Sequence, residues 1–465
     1  LEVLAKLRTV FKDGVLVALL GTVGHVSDIG GTKDVFSVRE IYDEGVQIPP
    51  MKLYEAGKPN ETLMRMLGKN VRSSDQVLGD LQSFVTANAI GAGRVLSFMQ
   101  DYGMEDLGAL ADVVQGLSER AMREAIRALP DGDYTSTITN NPLGTPMTYP
   151  VRLRIAGDTV EVDFEGAPPQ LARGGINCTL NYTAAHATYP LKCMLTPTVR
   201  GNAGCYRPFT VKAPEGSILN CSYPASVNAR VRTGWYIAPN IFRALSQAAP
   251  NQVQSFTGLP VAADIYGQDK DGNYYSDMLF CGGGQGGSLR ADGHSALLYP
   301  TSAANTSVEM IESRAPVLLL EKTYVTDSGG AGQQRGGLGQ LVRLRKRDAD
   351  GIVMQVSVFP EGVSHPVTGL HGGSHGGLAS GRVLDNTTHA AQECGGGRLV
   401  ELTRPEQIVE LVLAGGAGYG NPAKRQPEAL ARDVRMGFVS ESAAARDYGI
   451  AEPAQTANKL PAAVA

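Results

Sequence analysis

No run of apolar residues in this chain approaches the roughly 18 that a helix needs to cross a bilayer, so the 465 residues contain no transmembrane helix. The first twenty residues do not read as a secretory leader, because Lys6, Arg8, Lys12 and Asp13 interrupt any apolar stretch. An excess of positive charge is also missing. The net charge is −4, which gives no electrostatic reason to expect nucleic acid or an anionic membrane as partner. The six cysteines (178, 193, 205, 221, 281 and 394) are dispersed, with no CxxC pair. In a chain of this length that pattern favours free, buried thiols in a reducing cytoplasm over a disulfide framework. No phosphate cradle of the form GxxxxGK[ST] occurs, so the chain carries no standard ATP loop of its own. No repeat with a period of about 20–50 residues is visible, which argues against a solenoid.

What is present reads as a mixed α+β protein with more than one domain. Residues 1–130 combine strands with a helical region. Leu7–Phe11 and Val15–Leu20 flank the turn Lys12-Asp13-Gly14, a hairpin signal. Residues 60–129 carry helical spacing, with Asn60 as a first cap and Ser73 and Gln76 at capping-box spacing. A third helical stretch runs from about Glu105 to Leu129, broken near Gly116 with Ser118 as a new cap, and Pro130-Asp131-Gly132 stops it. Residues 131–390 read as a β-rich body of packed sheets, with hairpin 151–164, strands at 316–325, 341–346 and 353–359, and a helical island at 239–249. Residues 391–465 read as strands and two short helices, about 427–436 and 441–447.

Several groups could carry chemistry. His25 and Asp28 follow an apolar strand in Gly24-His25-Val26-Ser27-Asp28-Ile29-Gly30-Gly31, where an imidazole and a carboxylate three residues apart suit a divalent metal such as Zn, Mn or Fe. Spacing alone equally fits a hydrogen-bonded structural histidine. Asn70, Arg72 and Asp80 lie around a helix start, where a guanidinium and backbone N–H groups could hold an anion. Asn177, Cys178, Asn181, Thr183 and His186 crowd beside Tyr182 and Tyr189, as a pocket for amide N–H and C=O groups or as a polar network around a turn. Cys178 and His186 form a conceivable thiol–imidazole pair with no activating feature. Arg230 and Arg232 read as anion contacts or surface charge. Gly372-Gly373-Ser374-His375-Gly376 matches GxSxG, but its flanks are turn-like, not strand and helix, so it reads as an exposed loop. The glycine clusters, including 330–336, lack dinucleotide spacing and read as turns between strands.

Eight stretches in order carry a family likeness. They are GHVSDIGGTKD (24–34), EGVQIPPMKLY (44–54), NVRSSDQVLGDL (70–81), GGINCTLNYTAAHATYPLK (174–192), GNAGCYRPFTVKAPEGSILN (201–220), DSGGAGQQRGGLG (327–339), GGAGYGNPAKR (415–425) and DVRMGFVSESAAARDYGI (433–450). On these the chain resembles the hydantoinase B / oxoprolinase family, closest to its N-methylhydantoinase B-like branch.

The resemblance implies the β-type subunit of an ATP-dependent hydrolase that opens hydantoins, 5-oxoproline or related lactams. It implies a hetero-oligomer in which a hydantoinase A-type (α) partner binds ATP and activates the amide by phosphorylation. His25 matches the family's third metal ligand, Asp28 becomes its partner or a further ligand, and Glu44 a proton shuttle. Asn70, Arg72, Asp80, Asn177, Asn181, His186, Arg230 and Arg232 are the substrate-binding candidates. Metal-binding relatives carry an upstream Gly-Gly-Thr-His-x-x-Asp segment that supplies two ligands. That segment is not in this sequence, where Glu2 falls one residue out of register, so the chain reads as N-terminally incomplete. An acetone/acetophenone carboxylase-like subunit, or a chain without catalysis of its own, are the alternatives.

Overall fold

A computed structural model describes residues 2–301 and 303–449. The Glu2 side chain lies outside the described side chains. Strands β1 (Glu2–Lys12) and β2 (Val15–Val26) pair antiparallel. Asp13 and Gly14 both take positive φ, the geometry of a tight hairpin turn. The hairpin is longer than the apolar run indicates, and His25 sits inside β2. Its inner face, with Val10 and Val26 buried, lies on the long helix α2 (Ser74–Asp101), where Thr22 Oγ1 donates to Asn88 Oδ1 at 2.6 Å. A small ribbon, β3 (Tyr54–Glu55) with β4 (Lys58–Pro59), leads into α1 (Glu61–Asn70). Asn60 caps α1 by accepting from the Leu63 N–H at 3.1 Å.

Two local expectations change here. Ser73 makes no side-chain cap to α2. Helix α3 (Gly108–Arg127) runs through Gly116 without a break. Ser118 is an interior residue whose hydroxyl bonds back to the Val114 carbonyl at 3.0 Å and accepts from Asn202, so it satisfies itself without ending the helix.

A sheet of β5 (Gly132–Asn140), β6 (Met147–Ala156), β7 (Thr159–Asp163) and β8 (Phe209–Lys212) forms the first large core. Along β6, Met147, Tyr149, Val151, Leu153 and Ile155 alternate inward. They pack with Met122 and Ile126 of α3, with α4 (Leu180–Leu195) and with α7 (Ile237–Leu245). The one-turn helices α5 (Ala203–Tyr206) and α6 (Val231–Gly234) sit in the connections. Helix α4 replaces the turn that the polar crowding at 177–186 allowed. Thr179 starts it by accepting from the Tyr182 N–H.

The second core is a sandwich. One sheet has the order β10 (Tyr274–Cys281), β9 (Val261–Gln268), β13 (Met354–Val358), β16 (Arg398–Leu402). The other has the order β11 (Val317–Tyr324), β12 (Gln340–Lys346), β17 (Gln407–Val412), β14 (Ser380–Asp385), β15 (Ala390–Glu393). Ile265, Val356 and Val400 of the first face Val342, Leu344 and Val409 of the second, and α8 (Val308–Arg314) adds Ile311. Strands β16 and β17 thus pair within sheets built mainly from residues before 390.

Above the sandwich lies a layer of glycine backbone. A Cβ on Gly284 would stand 1.8 Å from the Gly337 carbonyl oxygen, and one on Gly416 would stand 2.0 Å from that of Gln285. These glycines are required by close backbone contact, not by turns with positive φ as the sequence indicates. Helices α9 (Pro427–Arg435) and α10 (Glu441–Tyr448) close this end, tied down by Asp433 between Arg425 (2.5 Å) and Arg335 (3.2 Å), all buried. No helix among the described residues is long and apolar enough to cross a membrane.

Candidate functional site

The 24–34 segment is the hinge of the site. Asp28 is fully buried, and a buried carboxylate needs partners. Arg72 supplies two, its backbone N–H at 2.5 Å and Nη1 at 2.7 Å, and Lys33 Nζ stands 3.4 Å away. Arg72 also donates to the carbonyls of Gly30 and Gly31. The sequence-named pair Asp28 and Arg72 is therefore brought together as the clamp that shapes this loop. His25 points from the other, exposed face of the hairpin. Partial desolvation lowers its pKa, and Arg230 adds a positive charge that lowers it further.

Glu44 reaches across to the segment that carries Arg230. One carboxylate oxygen, Oε1, accepts from Ser226 Oγ at 2.6 Å, Val227 N–H at 2.5 Å and Asn228 N–H at 3.0 Å. Asn177 holds the same segment from beneath. Its carbonyl accepts from the Leu171 N–H, and its amide donates to the carbonyls of Leu171 and Ser226, at 2.8–3.0 Å. Both residues shape the loop that presents Arg230.

Arg230 lies 5.2 Å from the Tyr182 ring centroid, and the Tyr182 ring is 4.4 Å from that of His186, one turn further along α4. Tyr189 closes the far side of His186 at 6.0 Å. Burial drives the His186 pKa down to about 4, with Arg230 adding to the effect. The imidazole is thus neutral at pH 7, and its buried Nδ1 has no hydrogen-bond partner among the described residues. Such an orphaned atom in a polar niche fits a ligand amide. Burial pushes the neighbouring Cys178 thiol well up, and its Sγ–H is directed at the Arg230 carbonyl at 3.6 Å, so it is a packed thiol without a nucleophile's environment.

The other candidates lie apart. Arg232, two residues beyond Arg230, turns into the core. There it pairs with buried Glu361 and donates to the Gly396 carbonyl at 2.5 Å. Asn70 is exposed and bonds back to the Met66 carbonyl at 2.7 Å, Asp80 is half-buried on α2, and Asn181 is exposed in the first turn of α4. Ser374, His371 and His375 are exposed on a loop with no helix after it. Sequence reasoning missed Lys33, Ser226 and the role of Tyr182. Lys33 and Tyr182 lie within family-like stretches beside named residues, whereas Ser226 lies in none of them.

Among the described residues no three His, Cys, Asp or Glu side chains come together as a metal-holding group. His25 is a single donor, and the oxygens of Asp28 are taken up by Arg72 and Lys33. The described side chains do not by themselves compose the expected metal centre.

Residues 4–422 match the family described as Hydantoinase B/oxoprolinase. The chain belongs to that family. This Hydantoinase B/oxoprolinase member is similar to the B-type subunit of a putative D-/L-hydantoinase from Pseudomonas sp. (strain NS671), 30% identical over 460 residues that cover 95% of this chain and 77% of that relative. Its fold is similar to that of the ATP-dependent caprolactamase from Pseudomonas jessenii, with a TM-score of 0.85 at 27% identity, covering 96% of this chain and 79% of that one. The nucleotide-free structure of acetone carboxylase gives a TM-score of 0.81 at 17% identity, over 96% of this chain and 66% of that one. That likeness is one of fold alone.

Proposed function

We propose that this chain is the B-type component of an ATP-dependent cyclic-amide hydrolase, which opens a hydantoin or lactam ring together with an A-type partner that binds the nucleotide. The relatives' names support the reaction class. The observation that carries the site is the stack in which Arg230 lies over the Tyr182 ring and that ring lies 4.4 Å from His186.

A planar amide resists hydrolysis because its resonance must be broken. Phosphorylation of the amide oxygen by the partner's ATP would remove that resonance and place negative charge on the reacting group. In this reading the activated ring lies against Tyr182 and His186. Neutral His186 Nδ1 hydrogen-bonds the ring's amide edge and fixes its orientation. Arg230 faces the phosphoryl oxygens, in the activated imidate and in the tetrahedral adduct formed as water adds; the adduct expels the ring nitrogen as the amine, and the acyl phosphate left behind is hydrolysed to carboxylate and inorganic phosphate. Glu44 and Asn177 are positioning residues that hold the Arg230 loop. Because the described side chains do not form a metal centre, no step is routed through one.

The test is product analysis on the chain assembled with its A-type partner, ATP and a panel of hydantoins and lactams. A product that gains only water, with ATP consumed, is expected. Arg230→Met should lower turnover by about 100-fold, the usual cost of one oxyanion donor. A product that gains carbon dioxide in a bicarbonate-dependent way would move the assignment to a carboxylase, and an Arg230→Met variant of unchanged rate would displace the site.

A further inference from the structure

Water that attacks a phosphorylated cyclic amide puts its hydroxyl on the amide carbon and its second proton on the nitrogen. The adduct then has two groups that can leave. Loss of phosphate is easy, and it returns the closed ring with ATP consumed and nothing opened. The ring nitrogen departs only as it is protonated, because an amine anion is far too basic to leave at pH 7. A proton delivered to nitrogen therefore decides whether ATP hydrolysis is coupled to ring opening.

Most groups around Arg230 have no such proton to give. Arg230 itself stays protonated at any pH a protein meets. His186, its pKa lowered to about 4 by burial, carries no imidazolium proton at pH 7. Glu44 is an acceptor, and its three donors include the Ser226 hydroxyl. The Cys178 thiol is sealed and directed at the Arg230 carbonyl. The Tyr189 hydroxyl donates to Tyr299 at 2.8 Å, and the Thr233 side chain is fully buried.

Tyr182 differs from all of these. It is half-buried on α4, and its hydroxyl makes no hydrogen bond among the described residues. Burial pushes its pKa up by more than Arg230 pulls it down, so the proton is in place at neutral pH. The ring is held in the stack, 5.2 Å from the Arg230 guanidinium and 4.4 Å from the His186 ring. Its edge lies against Gly234 of α6, where a Cβ would stand 2.4 Å from Cε1 and 3.1 Å from the hydroxyl oxygen. The turn that follows Arg230 thus gives up a side chain at the position where the phenol needs the space.

We infer that the Tyr182 hydroxyl protonates the ring nitrogen as the adduct breaks down, a role that rests on the ring-opening reading and deepens it. The Tyr182 O–H bond breaks and an N–H bond forms as the electron pair of the C–N bond passes to nitrogen. The adduct's own hydroxyl gives its proton to the phenolate oxygen as the new C=O bond forms. The phenol is restored, and the products of the step are the amine and the acyl phosphate. Negative charge that develops on the phenol during the exchange lies beside the Arg230 guanidinium. Tyr182 is then the residue that couples ATP hydrolysis to ring opening.

The experiment is Tyr182→Phe in the chain assembled with its A-type partner, supplied with ATP and caprolactam, 5-oxoproline or hydantoin. ADP and ring-opened product are measured together. The parent is expected to form them in equal amounts. In the variant, ring opening should fall by about 100-fold, the usual contribution of a general acid, while ADP continues to form. The ratio of ADP to opened ring then rises at least tenfold, whereas a merely structural role for the side chain would lower both rates together. Because the hydroxyl has no partner, the variant should keep the parent's urea midpoint, read from buried Trp235. An unchanged ratio, whether both rates hold or both fall, would overturn the role, as would a lower midpoint, which would make the hydroxyl a structural donor. The two readings fail separately. A parent that opens none of the rings removes the reaction itself, whereas a parent that opens a ring and a variant that keeps its ratio remove only the role of Tyr182.

Discussion

Replacing Glu44 separates two roles that the same carboxylate could play. Three donors converge on its Oε1, and two of them are backbone N–H groups of the loop before Arg230. Hydrogen bonds to a charged acceptor contribute about 1.5–3 kcal/mol each, and water can replace some of them at a half-buried position, so Glu44→Ala should lose about 3 kcal/mol of stability. Glu44→Gln keeps an oxygen at the same place and loses only the charge assistance, a cost of about 1 kcal/mol. The chain has a single tryptophan, Trp235, which caps α6 just beyond this loop and is buried. Its fluorescence therefore reports on this segment during urea unfolding. If Glu44 positions the loop, the glutamine variant keeps turnover within several-fold of the parent. The alanine variant loses it along with the native Trp235 signal, because a displacement of about 1 Å can cost 100-fold in rate. A glutamine variant that unfolds like the parent but is inactive would refute this reasoning and restore the proton-shuttle role expected from the family resemblance.

Two further outcomes follow from the structure. Gly284→Ala drives a methyl to 1.8 Å from the Gly337 carbonyl and should prevent folding, whereas Gly79→Ala, on α2 with nothing within 4 Å, should stabilise by about 0.5–1 kcal/mol; equal urea midpoints for the two would contradict the close-packing argument. His186 has its pKa lowered to about 4 by burial, so between pH 6.5 and 4 the unfolded chain binds more protons than the folded one. Stability is then complete above about pH 6.5 and declines by at most about 3 kcal/mol as pH falls to 4. His186→Phe should flatten that slope in pH-dependent unfolding, and an unchanged slope would show that the ring is not buried in neutral form.

Elements with clean periodicity were legible in the sequence. The hairpin 151–164, the caps and faces of the first helices and the two C-terminal helices stand where the spacing puts them, Ser73 apart. Helix α4 was not, because its first turns are polar and Pro190 lies within it, so neither an apolar stripe nor an uninterrupted run announced it. The site was legible as residue types and not as partnerships. Arg230 and Arg232 are near neighbours in sequence, yet one faces the Tyr182 ring and the other is sealed against Glu361. Only the turn of α6 decides which is which. The glycine clusters were misleading for a related reason. A residue chosen to let two chain segments touch has the same letter as one chosen for a turn.

That glycine layer also orders events in time. Gly258 donates to Gly284, Gly284 to Ala414, Gly337 to Gln285 and Gly416 to Gly337, so segments distant in sequence supply each other's hydrogen bonds. Each of these bonds forms only when both of its segments have arrived, and glycine suffers the largest loss of chain freedom when it is fixed. The layer therefore becomes native only after the segments that it joins have been brought together. A nascent or heat-stressed chain would hold its local helices and hairpins while this seam stands open, and chaperone capture or aggregation would begin there.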